Sequence, residues 1–141
     1  MSVHTPADYL ELARSESDSA VLHRLVRCPY PFVWQALAAN PATAPGTLLE
    51  LSTAQDSAWN DNRLLRLLAE HQSADRTVLR AVRDAVAAKL TEGARPYAAV
   101  LALAGRTELT AAEVRQLGTL RGASARLRNQ LDRRLELRTD P

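Results

Sequence analysis

The groups in this sequence that could do chemistry are three histidines, one cysteine and a scatter of hydroxyl and acidic side chains. His4, His23 and His71 fall on different elements. No two of them have the spacing that puts two imidazoles on one helical face to grip a metal. Ser15, Ser17 and Ser19 alternate with Glu16 and Asp18, but no base is placed to activate any of them. Asp8/Glu11 and Glu16/Asp18 read as helix-terminal charges. The five glycines form no phosphate-cradling loop. Cys28 is alone, which excludes an intramolecular disulfide and any cysteine-cluster zinc or iron–sulfur site within the chain. It reads as a small apolar residue at a helix end; a reactive thiol would need an electropositive setting, for which Arg24 and Arg27 are the nearby sources. No catalytic residue, metal ligand or cofactor site is predicted, so the chain reads as non-enzymatic. An enzyme role would need a site converging from separate helices or completed by a second chain.

Binding chemistry is better represented. Val33 and Leu37 share a helical face, and Tyr30, Trp34 and Ala38 form the adjoining stripe. Trp59 lies in a polar insertion, residues 55–62. Exposed tryptophans are enriched at binding hot spots, so Trp34, Trp59 and Tyr30 are candidate partner contacts; covering a core edge is the competing role. Arg126, Arg133 and Arg134 belong to an arginine-rich C-terminal stretch whose opposite side is the apolar stripe Leu120, Leu127, Leu131 and Leu135. That pattern predicts an amphipathic capping helix first, a surface for homo-oligomerisation or an acidic partner second, and nucleic-acid binding third. Aromatic residues are not interleaved with these arginines, which weakens single-strand stacking. Charge is uneven: residues 1–70 carry net −3 and residues 71–141 net +5.

These residues must be positioned by helices. Leucine (23) and alanine (25) make up about a third of the 141 residues, and isoleucine is absent, which argues against a sheet and for an all-α fold. One domain, residues 1–141, fits the length. Helices are predicted over 6–14, 19–27, 30–39, 45–54, 61–71, 75–90, 95–105, 111–120 and 123–137. Thr5-Pro6 and a Thr110/Glu113 capping box mark two starts. A frame recurs in which a Leu-Ala pair, a polar joint and two later apolar positions follow in register: Leu37, Asn40, Leu48, Leu51; Leu68, His71, Leu79, Val82; Leu103, Arg106, Val114, Leu117. The copies stand 31 and 35 residues apart, room for two helices and two turns each.

The stretch 28–43, Cys-Pro-Tyr-Pro-Phe-Val-Trp-Gln-Ala-Leu-Ala-Ala-Asn-Pro-Ala-Thr, resembles the variant leucine-rich repeat, and Leu48-Leu49-Glu50-Leu51 continues the pattern. The resemblance covers residues 19–54 and implies a right-handed α-solenoid of short paired helices. Cys28 stands where the family has an acid and Trp34 where it has an arginine. Later units are stretched near 55–62 and 91–96 and look more HEAT-like. The cysteine-rich iron–sulfur segment of one founding type has no counterpart.

The expectation is a short α-solenoid of stacked helical pairs that serves as a protein- or peptide-binding adaptor. A nucleic-acid-binding repeat using the arginine-rich half is the alternative, and a small enzyme or accessory subunit a third. No signal segment or membrane-length apolar run is seen, so a soluble, cytoplasmic protein is expected, and the arginine-over-lysine bias suits a GC-rich bacterial genome.

Overall fold

A computed structural model describes residues 5–138; His4 lies outside them. The described residues form nine α-helices and no strand: α1 (Pro6–Ser15), α2 (Ser19–Leu25), α3 (Pro31–Ala39), α4 (Pro45–Leu51), α5 (Ala58–Glu70), α6 (Arg76–Thr91), α7 (Tyr97–Ala104), α8 (Ala111–Arg115) and α9 (Ala125–Glu136). Local chemistry sets the starts. Thr5 and Asp8 close a capping box on α1, and Thr110 and Glu113 close one on α8. Pro6, Pro31 and Pro45 occupy first-turn positions where the missing N–H has no partner to lose.

Two boundaries differ from the sequence expectation in an instructive way. α5 begins at Ala58 rather than 61, because Ser57 Oγ accepts the Asn60 N–H at 3.2 Å and caps it. Trp59 therefore stands in the first turn of a helix, not in a loop. The span 111–120 is α8 followed by a tighter 3₁₀ turn, Gln116–Thr119, which contains the poor helix former Gly118.

The odd-numbered helices pack on one another in chain order, α1 on α3, α3 on α5, α5 on α7 and α7 on α9. The even-numbered helices lie against them, and α4 packs on α6. Leu37, Leu48, Leu51, Leu68, Leu79, Val82, Leu103, Val114 and Leu117, the apolar positions of the recurring frame, are all fully buried. Burying each such side chain contributes roughly 1.5–3 kcal/mol. A half-buried Lys89 holds the buried carboxylate of Asp61 at 2.8 Å and ties α6 to α5. At Gly122 a Cβ would come within 2.0 Å of the Leu90 carbonyl oxygen, so only glycine permits this approach. No helix among the described residues is long and apolar enough to cross a membrane.

The polar joints are bonded to one another. Asn40 Nδ2 donates to the carbonyls of Ala13 and Glu16, both at 2.9 Å. His71 Nε2 reaches the Asn40 carbonyl at 2.7 Å. Arg106 donates to the carbonyls of Ala69, His71 and Ala74 at 2.7–3.0 Å. Arg138 donates in turn to the carbonyl of Leu109. Each joint thus donates to main-chain carbonyls at the preceding helix end; the Asn40 and His71 carbonyls also accept a turn N–H, from Thr43 and Ala74.

Candidate binding surface

With the odd helices held at fixed spacing by these joints, shallow grooves open along their outer side. The stripe that lines them is clearest on α5. Asp61, Leu64, Leu65 and Leu68 are buried, which turns Trp59, Asn62, Arg63, Arg66, Leu67 and Glu70 outward at three- and four-residue steps.

The first groove, of about 370 Å³, runs over α1, α3 and α5 and is lined by Leu10, Arg14, Phe32, Ala36, Arg63 and Leu67 among others. The second, of about 360 Å³, lies between α5 and the entry to α7 and is lined by Trp59, Asn62, Arg63, Arg66, Arg95 and Pro96. Arg63 belongs to both. A third groove, of about 400 Å³, shares Ala39, Pro41 and Leu67 with the first and ends on Glu70, His71 and Gln72. Trp59 is 76% exposed and Phe32 42% exposed. Among the described residues Asn62 Oδ1 is buried without a hydrogen-bond donor.

The charge on this surface is one-sided. Glu70 is the one carboxylate lining the three grooves, and Arg66 already holds it at 2.7 Å. Arg14, Arg63 and Arg95 are exposed and make no ion pair or side-chain hydrogen bond among the described residues.

The other residues singled out from sequence fall elsewhere. Trp34 is half-buried beside the turn after α2, and its Nε1–H donates to the Cys28 carbonyl at 2.7 Å. On α3 it points about 200° away from Phe32 by helical geometry, and it lines none of the three grooves. Tyr30 is half-buried and stacked on Phe32, ring centroids 5.3 Å apart, so it supports the rim of the first groove. Arg126, Arg133 and Arg134 are exposed on α9 and share no groove with Trp59. Cys28 is half-buried, and burial pushes its thiol pKa up, away from a reactive thiolate.

Much of the arginine excess in the C-terminal half is internally engaged. Arg76 and Arg80 pair with Glu113, and Arg83 donates to the Glu113 carbonyl and to Gln116. Arg106 and Arg128 donate to main-chain carbonyls. The Arg80 hydrogen bond, with help from the Thr110 cap, pulls the Glu113 carboxyl down to a pKa of about 2. The groove-lining residues absent from the sequence expectation are Arg14, Phe32, Arg63, Arg66 and Arg95. The sequence signal for those on α5 is the Ser57 cap followed by the stripe 59, 62, 63, 66, 67, 70, which overlaps the polar run 55–62.

No protein-family model, curated protein or solved structure matches this chain. Among the described residues, no group of three or more His, Cys, Asp or Glu side chains stands together as a metal site.

Proposed function

We propose that the chain is a short α-solenoid, akin to variant leucine-rich repeats over 19–54, with α9 as its C-terminal cap. It works as a non-enzymatic cytoplasmic adaptor that binds a segment of another protein along the outer side of its odd-numbered helices. The chain-order packing of those helices and the linked joints support the repeat reading. The observation that carries the binding role is Trp59, held 76% exposed on a rigid helix in the wall of a groove. An indole in water there adds nothing to the core, and tryptophans are enriched among binding hot spots.

Selection of a random twelve-residue peptide library against the purified protein tests this. Clones should enrich that bind the wild type and weaken by roughly thirtyfold on Trp59→Ala, about 2 kcal/mol, with unfolding unchanged. Failure to enrich, or equal binding by the variant, overturns the reading.

A second reading draws on Arg126, Arg133 and Arg134, which are exposed on α9 without a partner side chain among the described residues and suit a nucleic-acid backbone. Its mark would be affinity that falls steeply with salt and is lost on replacing these three arginines together.

A further inference from the structure

We infer that the segment bound in these grooves is an extended acidic peptide in which carboxylates alternate with apolar side chains. The inference rests on the proposed adaptor reading and names the partner chemistry that reading leaves open. Arg63 stands where the first and second grooves meet, with Arg14 lining the first and Arg95 the second. Among the described residues none of the three has an acidic partner, and the single lining carboxylate, Glu70, is already held by Arg66. Each of these guanidinium groups presents a planar donor fork that matches a carboxylate. Between them the walls carry apolar side chains, Leu10, Phe32 and Leu67 in the first groove and Trp59 in the second, alongside the amides of Gln35, Asn40 and Asn62. A chain that alternates apolar and acidic residues meets both demands at once, and Arg63 makes the two grooves one track.

A nucleic-acid strand fits this face less well. Its bases would need successive aromatic platforms, yet Trp59 and Phe32 lie in different grooves and the remaining apolar walls are aliphatic. Its phosphates would need a longer row of free cations than three arginines provide.

The test uses the full-length protein and four fluorescein-labelled probes followed by anisotropy. One peptide repeats Glu-Leu-Glu-Gly three times, a second has Gln for every Glu, a third has Lys for every Glu, and the last probe is a twelve-nucleotide oligothymidylate. The Glu peptide should bind about tenfold or more tighter than the Gln peptide at low salt, and the Lys peptide should not bind. Arg63→Gln and Arg95→Gln should each reduce that affinity about three- to tenfold, and the preference should shrink at about 0.5 M salt. Trp59→Ala should weaken both the Glu and the Gln peptide, because it removes the apolar anchor.

Equal binding of the Glu and Gln peptides overturns the acidic preference while leaving a peptide-binding surface intact. Tighter binding of the oligothymidylate, lost on Arg63→Gln, assigns the face to nucleic acid and overturns the proposal. Absence of all binding, with concentration-dependent dimerisation abolished by Trp59→Ala, makes a second copy the occupant and also overturns it.

Discussion

His71 donates its Nε2–H to the main-chain oxygen of Asn40 at 2.7 Å. Its other nitrogen, Nδ1, accepts the Ser73 N–H at 3.0 Å, which fixes the neutral tautomer with the proton on Nε2. Asn40 has the same two-sided arrangement one joint earlier. Its Nδ2 donates backward to Ala13 and Glu16, and its Oδ1 accepts from the Ala42 N–H. An amide and an imidazole thus do the same work at equivalent places.

His71→Ala should therefore destabilise the protein by about 1–3 kcal/mol, since it leaves the Ser73 N–H without its acceptor and removes one of the two donors to the Asn40 carbonyl, whose other donor is the Thr43 N–H. His71→Asn should recover part of that loss, because asparagine supplies one donor and one acceptor in the Asn40 manner. Urea unfolding of the three proteins checks this. Equal midpoints for the Ala and Asn variants would show that the joint bonds add nothing.

Arg106 continues the ladder with a longer side chain. Its guanidinium serves three carbonyls and is steadied by Glu108 at 2.9 Å, and in return it holds the Glu108 carboxyl below its ordinary pKa. Arg106→Met keeps much of the stem packing but removes every donor. The expected loss is about 2–3 kcal/mol, measured by denaturant unfolding. Arg106→Lys should fall between, because an ammonium cannot reproduce the planar fork.

The ladder also shows what was legible in the sequence. Leu37, Leu68 and Leu103 share a frame with Asn40, His71 and Arg106, and composition plus period-3.6 stripes located all nine helices. What joins Asn40 to His71 to Arg106 was not legible, because three chemically different residues meet one demand, a donor aimed at the preceding carbonyl. The groove was half visible. Trp59 was singled out, but Arg63, Arg66 and Arg95 were not. A net charge of +5 over residues 71–141 does not distinguish Arg95, which is exposed and unpaired, from Arg83 and Arg106, which are held by internal acceptors.

Glu113 sets a pH dependence. Its carboxylate bridges Arg76 and Arg80 on α6 to the Thr110 cap of α8, and its pKa falls from the ordinary 4.5 to about 2. A lowered pKa in the folded state means that this stabilisation is complete above pH 4.5 and is lost as pH falls through about 2. Glu113→Gln retains a capping side chain but removes the charge, so it isolates the pairing. At neutral pH the variant should be less stable by about 0.5–1 kcal/mol. The gap should narrow below pH 4.5 and close near 2, read from thermal unfolding across that range. A gap that stays constant with pH would show that the charge is not what matters.

The two tryptophans should separate cleanly. Trp34 is packed against the core, and its indole N–H is satisfied inside the chain by the Cys28 carbonyl. Trp59 is 76% exposed and has no such bond among the described residues. Trp34→Phe keeps most of the ring contact but leaves the Cys28 carbonyl without its donor, so about 1 kcal/mol should be lost. Trp34→Ala also opens a gap beside α3 and should lose about 2–4 kcal/mol. Trp59→Ala should change stability by no more than about 0.5 kcal/mol, as expected for a surface position. Peptide affinity should run the other way, unchanged in Trp34→Phe and strongly reduced in Trp59→Ala. Unfolding and peptide titration on the same three variants decide it. If Trp34→Ala unfolds at the wild-type midpoint while losing the peptide, Trp34 is the anchor and the partner lies against the turn after α2 instead of the odd-helix grooves.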